Sequence, residues 1–193
     1  RILLAVSRLQ ALDVVDITLL GSPDQIRNKI AQLGIPMNMD AITIIDPVNS
    51  DHFEDYAETL YQLRKHRSVN RPMAHDLMAD VSFFGTMMVY KGHADGMVSG
   101  AVHTTQHTIR PALQFIKTKP DVSVVSSVFF MCLEDRVSVF GDCAINPNPT
   151  AEQLAELEKA LREERATIIA RGPGGRAAAF TDEEPDPGDR QDQ

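Results

Sequence analysis

The segment "SGAVHTTQHTIRP" at residues 99–111 combines hydroxyl, imidazole and guanidinium side chains at a density that a fold alone does not require. Ser99, Thr104 and Thr105 offer hydroxyl groups, and Arg110 follows within a predicted helix. Gly100 has no side chain, so the backbone can approach a ligand closely there. Because the free N–H groups at a helix start attract anions, the segment predicts an anion site. The alternative is that the threonines only cap the helix.

The two histidines of this segment have a spacing that metal ligands on a helix can have. His103 and His107 are four positions apart and could share one helical face. No "HExxH" pattern or acidic triplet accompanies them. The sequence therefore favours histidines that form hydrogen bonds or cap the helix, and it assigns no metal site. His93 and Asp95, which precede the segment, are interpreted as loop residues.

A basic cluster, "LRKHR" at residues 63–67, stands out in a chain of net charge −8. One interpretation is the favourable C-terminal end of a helix with solvated side chains. The other is that Arg64 reaches a phosphate group. Cys132 and Cys143 fit no zinc spacing and are interpreted as reduced thiols. Cys143 could act as a nucleophile, but the sequence places no histidine base beside it, so a packing role is favoured.

Short apolar runs alternate with amphipathic stretches along the first 150 residues. Strands are predicted at 16–21, 41–46, 95–100, 122–133 and 136–142, the last two forming a hairpin. Helices are predicted at 22–34, 50–67, in two pieces within 71–92, at 107–118 and from Thr150 onward. This order predicts an α/β fold in which three αβα layers enclose a mainly parallel sheet.

Composition and net charge argue against two classes of protein, those with a broad nucleic-acid surface and those that span a membrane. The 193 residues are 43% hydrophobic, which is enough to fill a core. The net charge of −8 argues against a broad nucleic-acid surface, and no apolar run is long enough to span a membrane. We therefore expect a cytoplasmic protein with no nucleic-acid or membrane partner. Residues 171–193 are rich in Gly, Pro and Asp, and their composition predicts a disordered acidic tail.

Three strings, taken in order, closely resemble phosphate acetyltransferases: "LRKHR", "DGMVSGAVHTTQHTIRPALQFIKTKP" and "SSVFFMCLEDRVSVFGDCAINPNPTAEQLAE". The resemblance covers residues 1 to about 156. It implies the reversible conversion of acetyl-CoA and phosphate into acetyl phosphate and CoA. These molecules are substrates, and no metal or further cofactor is implied. The resemblance also implies a fold related to isocitrate and isopropylmalate dehydrogenases, and assembly as a homo-oligomer, usually a dimer.

The resemblance also implies site residues. Arg64 and Arg110 match arginines that the family uses for substrate phosphate or CoA. The loop beside the acyl phosphate is matched by Ser99, Gly100, Thr104 and Thr105. No catalytic base is assigned.

The sequence is expected to be incomplete relative to this family. It begins at Arg1 rather than at a methionine, and the resemblance ends near residue 156. A helix of uncertain origin at 157–170 and the tail at 171–193 follow. We therefore expect the N-terminal part of the catalytic domain, with impaired turnover. The alternative is a non-catalytic fragment that binds phosphate or CoA.

Overall fold

The structure is a computed structural model that describes residues 1–118, 120, 122, 125–141, 145, 150–156 and 158–159. The chain divides into two compact units, residues 1–117 and residues 118–193. Each unit is described by itself below. Within the described ranges, no helix combines the length and apolar character needed to cross a bilayer.

The first unit opens with a helix, a strand, a helix and a strand. They are α1 (Ile2–Leu12), β1 (Thr18–Leu20), α2 (Pro23–Leu33) and β2 (Thr43–Ile45). The two strands pair in parallel, with Leu19 opposite Ile44. The parallel β1–α2–β2 unit predicted from the sequence is therefore confirmed. Both strands are shorter than predicted.

Helix α2 shows how closely local sequence signals can fix a helix. Ser22 occupies the N-cap, Pro23 is the first helical residue, and Gly34 ends the helix with a φ of +58°. Glycine adopts this left-handed conformation without the steric penalty that a Cβ would bring. The Ser22 side chain makes no capping hydrogen bond, so proline and glycine alone supply the local signals.

The core of the first unit lies among α3 (Phe53–Arg64), α4 (Arg71–Met78) and α5 (Val81–Tyr90), which we call the helical core. Residues 82–88 of α5 are all buried, and Phe84 has no exposed surface. A helix that is apolar on every side must be enclosed by other elements, as α5 is by α3 and α4. Within the Met-rich string "FFGTMMVY", residues 83–88 belong to the core, whereas Tyr90 is exposed.

Gly85 allows two neighbouring segments to lie against α5. A Cβ built at this position would be 2.7 Å from Met97 Sδ and 2.9 Å from Leu20 Cδ1. A Cβ does not approach a carbon or sulfur atom of a neighbouring side chain this closely unless one of the two atoms shifts. The absence of a side chain at Gly85 therefore lets β1 and the segment around Met97 approach the core helix.

The sequence-based prediction of a strand at 95–100 is wrong. These residues form no ladder and lead directly into α6 (Thr105–Pro111). Met97 contacts α5 instead, and Gly100 has a φ of +115°, which a strand does not contain. The predicted helix at 107–118 begins earlier, at Thr105, and continues after Pro111 as a π-turn, Ala112–Ile116. Proline lacks the N–H that would continue the α-helical ladder.

The second unit contains an antiparallel hairpin of β3 (Val128–Cys132) and β4 (Val137–Gly141). The predicted hairpin is confirmed, although both strands are shorter than expected. Several large apolar side chains of this hairpin are exposed, among them Phe129 and Phe140.

A helical stretch at 151–156 follows in the same unit. It starts with a capping box, because Thr150 N donates to Gln153 Oε1 and Gln153 N donates to Thr150 Oγ1. The predicted helix at 157–170 and the predicted tail at 171–193 lie outside the described residues, apart from positions 158 and 159.

Both helices and strands are present in each unit, so the mixed α/β class is confirmed. One described strand pair is parallel and the other is antiparallel. The domain boundaries at 156 and 170 stay predictions.

Candidate functional site

Residues 99–110, which we call the polar segment, consist of a loop and helix α6. Thr104 is the N-cap of α6, and its Oγ1 accepts a hydrogen bond of 3.2 Å from His107 N. Gly100 has a backbone conformation, with a φ of +115°, that residues with a Cβ rarely adopt. The capping role predicted for the threonines is therefore confirmed for Thr104. Thr105, the first residue of the helix, is exposed.

The hydroxyl groups of the polar segment still have donors to offer. Ser99 Oγ accepts a hydrogen bond of 3.4 Å from Thr108 Oγ1, and Thr104 Oγ1 accepts from the backbone. A hydroxyl that accepts keeps its own O–H for another partner. Ser99 and Thr104 can therefore each donate to an anionic oxygen without breaking the contacts that hold them.

Arg110 lies in the last turn of α6 and is exposed. It forms no hydrogen bond or ion pair with any residue in the described part of the chain. Residues three apart are neighbours on a helix surface, so Arg110 lies beside His107. The guanidinium group thus offers all five of its N–H donors to a ligand.

Arg64, at the end of α3, has a different environment. Its side chain is half-buried, and Nη1 donates a hydrogen bond of 3.1 Å to the carbonyl oxygen of Gln114 in the π-turn. Its Nε is buried and has no hydrogen-bond partner within the described ranges. The structure therefore ties Arg64 to the turn that follows Arg110. The solvated interpretation fits Lys65, His66 and Arg67, which are exposed, but not Arg64.

Asp80, which is not among the site residues predicted from the sequence, lies next to the polar segment. Its Oδ2 lies 3.0 Å from His107 Nε2, and its Oδ1 caps α5 by accepting from the backbone N–H groups of Ser82 and Phe83. His103 stacks on His107 with ring centroids 4.7 Å apart. An aspartate directly before an apolar helical run was a visible N-cap signal. Its contact with residue 107 was not visible, because that contact depends on tertiary packing.

His93 is more than the loop residue that the sequence suggested. The hydroxyl of the fully buried Tyr56 lies 2.5 Å from His93 Nδ1. Burial, and after it the nearby charge of Asp55, raise the pKa of Tyr56 above its ordinary value. Tyr56 therefore stays protonated and holds the segment that leads to residue 99 against the core.

The described cysteine, Cys132, is a free, exposed thiol on β3. This agrees with the expectation of a reduced cysteine. Cys143, whose packing role was favoured from the sequence, lies outside the described residues.

Comparison with known proteins identifies the wider group. The family model described as "Phosphate acetyl/butaryl transferase" matches residues 1–173. A phosphate acetyltransferase of Synechocystis is 57% identical over 157 residues, which are 81% of this chain and 22% of that protein. A phosphate acetyltransferase of Corynebacterium glutamicum is 50% identical over 157 residues, which are 47% of its length.

Solved structures agree with these relatives. The EutD phosphotransacetylase of Staphylococcus aureus superposes with a TM-score of 0.71 at 41% identity. The alignment covers 81% of this chain and 46% of that one. The chain therefore spans between about a fifth and a half of the length of these relatives. With a family model that matches most of its residues, the chain belongs to the phosphate acetyl/butaryl transferase family.

Proposed function

We propose that the polar segment binds the phosphate group of acetyl phosphate, or free phosphate, as part of a phosphate acetyltransferase site. In the proposed reaction the thiolate of CoA attacks the acetyl carbonyl carbon. A C–S bond forms, the C–O bond to phosphate breaks, and phosphate leaves. The thiol proton passes to a base that is not assigned to any described residue. In the reverse direction phosphate is the nucleophile and CoA leaves.

The observation that carries the proposal is Arg110, which is exposed at the end of α6 and has no hydrogen-bond or ion-pair partner among the described residues. A guanidinium group presents a planar fork of donors that matches two phosphate oxygens, whereas an ammonium group acts as a point charge. In a chain of net charge −8, a phosphate needs such a local cation. The same group would stabilise the negative charge that develops on the leaving oxygen.

The neighbouring residues support the assignment. Among the described residues, the Ser99 and Thr104 hydroxyls donate to no partner, Thr105 is exposed, and Gly100 leaves the backbone open to a ligand. Such short, fixed hydroxyl groups complement an arginine at a phosphate. They hold the anion in one orientation while the arginine supplies most of the charge.

Arg64 is proposed as the second arginine of the site. Arg64 Nε is buried and has no partner among the described residues, and a buried donor left unpaired costs about 1–3 kcal/mol. An anionic oxygen would satisfy this N–H once the side chain turned toward it. The bond from Nη1 to Gln114 already keeps the guanidinium next to the turn after Arg110.

The remaining parts of the proposal follow from family membership. CoA and acetyl-CoA are the proposed substrates, with no other cofactor. The complete architecture is proposed to be a three-layer αβα fold related to isocitrate and isopropylmalate dehydrogenases. A homodimer is the proposed assembly.

The test is formation of acetyl-CoA from acetyl phosphate and CoA by the purified chain. Arg110→Ala removes a charge-assisted contact worth about 1.5–3 kcal/mol, so kcat/KM should fall about 10- to 100-fold. Arg27→Ala, which removes an exposed arginine from α2, is the matched control and should leave kcat/KM unchanged. Equal rates for the Arg110→Ala variant and the unaltered chain would contradict the proposal.

A second candidate function is phosphate or CoA binding without turnover. It is favoured by the observation that Ser99, Thr104 and Arg110 offer donors to an anion, whereas no described residue is assigned as the base for the CoA thiol. Phosphate that raises the thermal midpoint of the chain, with no acetyl-CoA formed, would support this candidate. Arg110→Ala should then abolish the rise in midpoint.

A further inference from the structure

A cluster of three side chains lies where the polar segment meets the start of α5. Asp80, His103 and His107 each offer one ligand atom, and these atoms all lie within 4.8 Å of one another. The three residues come from two points that are 23 or more positions apart in the sequence. All three are half-buried. The fold, rather than a local motif, therefore assembles the cluster.

The carboxylate of this cluster is held in place before any ligand arrives. Asp80 Oδ1 accepts hydrogen bonds of 2.9 Å and 3.2 Å from the N–H groups of Ser82 and Phe83. Its other oxygen, Oδ2, lies 3.0 Å from His107 Nε2. The backbone of His107 is fixed in turn by its hydrogen bond to Thr104 Oγ1. Partners of this kind orient metal ligands and reduce the entropy lost on binding.

Capping and hydrogen bonding explain Asp80 and His107 but not His103. The His103 ring makes no hydrogen bond within the described part of the chain. It stacks on the His107 ring, with an interplanar angle of 12°. A second imidazole held beside an imidazole–carboxylate pair adds nothing to the cap of either helix. It does complete a set of three ligands.

We propose that Asp80, His103 and His107 bind a divalent transition-metal ion of the Zn²⁺ class. Two imidazoles and one carboxylate suit Zn²⁺, and three protein ligands leave one position open to water. Mg²⁺ and Ca²⁺ prefer sets of oxygen ligands, so they should bind weakly. The proposal uses neither Arg64 nor Arg110, and it stands independently of the proposed function.

The distances permit binding after a small adjustment. Ligand atoms around a tetrahedral Zn²⁺ lie about 3.3 Å apart, given bonds of about 2.0–2.1 Å. The Asp80–His107 pair is already at 3.0 Å. His103 precedes the helix, and among the described residues its ring is held by stacking without a hydrogen bond, so the ring can turn toward the other two. Zn²⁺ would then take the place of the contact between His107 Nε2 and Asp80 Oδ2, and a neutral His107 would carry its one ring proton on Nδ1.

The test is calorimetric titration of Zn²⁺ into the chelator-treated 193-residue chain, with Mg²⁺ in parallel. We expect one saturable Zn²⁺ site and no comparable Mg²⁺ binding. Loss of one of three ligands should weaken Zn²⁺ binding at least about tenfold in His103→Gln and in His107→Gln. His66→Gln, at an exposed histidine outside the cluster, is the matched control and should bind as the unaltered chain does.

Asp80→Asn separates metal binding from folding. Asparagine caps helices as well as aspartate does, so the thermal midpoint should change little. The lost charge should still weaken Zn²⁺ binding at least about tenfold, by the same ligand-loss argument. Co²⁺ should give the intense visible absorption of a tetrahedral site in the unaltered chain and lose it in His103→Gln. Absence of Zn²⁺ binding, or equal affinity in His103→Gln, would overturn the proposal.

Discussion

Helix α5 and the polar segment lie in the same unit but differ in burial and in the interactions that fix them. Residues 82–88 of α5 are all buried. By contrast, Val98, just before the polar segment, is 93% exposed, and Val102, within it, is 88% exposed. The helix is fixed by packing on all sides. The polar segment is fixed by a few hydrogen bonds, at Thr104, Ser99 and Asp80. The difference indicates that stability is concentrated in the helical core, while groups able to bind ligands are concentrated next to it.

The largest expected effect tests this division of roles directly. Phe84→Ala should lower the free energy of unfolding by about 3–5 kcal/mol, because the substitution leaves a cavity among fully buried neighbours. Val102→Ala, an apolar truncation on the polar segment, should change it by less than about 0.5 kcal/mol. Urea unfolding followed by circular dichroism measures both values. Similar losses in the two variants would remove the distinction between the regions.

The N-caps of α5 and α6 should also contribute unequally to stability, with the larger contribution from the cap of the core helix α5. Asp80→Ala removes two backbone hydrogen bonds at the start of α5 and should cost about 2 kcal/mol. Thr104→Ala removes one hydrogen bond from a short exposed helix and should cost about 0.5–1 kcal/mol. Thermal unfolding of the two variants provides the comparison. A larger loss in Thr104→Ala would show that α6 contributes more to stability than its exposure suggests.

Substitution of Gly85 tests the contact between α5 and Met97, through which the core supports the segment leading to residue 99. Gly85→Ala gains about 1 kcal/mol of helix propensity but places a Cβ 2.7 Å from Met97 Sδ. Overpacking of this kind costs about 1–3 kcal/mol, so a small net loss of stability is expected. Met97→Ala should cost less in the Gly85→Ala background than in the unaltered chain. Additive losses in a double-mutant cycle would argue against the contact.

Substitution of Tyr56 should have a small effect on stability, and one that depends on pH. Tyr56→Phe removes the bond to His93 and should cost about 0.5–1.5 kcal/mol at neutral pH. The folded state raises the pKa of Tyr56, so its contribution is complete below the ordinary value of 10.0 and is lost as pH rises through the folded value. Stability measured from pH 8 upward should therefore fall less steeply in Tyr56→Phe. Parallel profiles for the two chains would contradict the role given to burial.

The parts of the fold that sequence predicted are those determined by local chemistry. Pro23 and Gly34 bound α2, Thr150 caps the helix of the second unit, and the string around Phe84 is core. The strand predicted at 95–100 failed because strand formation depends on a pairing partner, which sequence does not reveal. The apolar side chain of Met97, which suggested a strand, packs on Gly85 of α5 and not within a sheet.

The candidate site was predictable in composition but not in geometry. The density of hydroxyl and basic side chains at residues 99–110 was visible in the sequence. The link from Arg64 to Gln114 spans 50 positions, and the contact of Asp80 with His107 spans 27. Such separations are closed by the packing of whole helices. No motif of fixed spacing records them.

The central claim is that the polar segment binds phosphate through Arg110. The most direct measurement is calorimetric titration of inorganic phosphate into the unaltered chain, Arg110→Ala and Arg27→Ala. The account predicts that the Kd rises about 10- to 100-fold in Arg110→Ala, as the loss of a charge-assisted contact requires, and stays unchanged in Arg27→Ala. The same Kd in all three chains, or no phosphate binding by the unaltered chain, would contradict it.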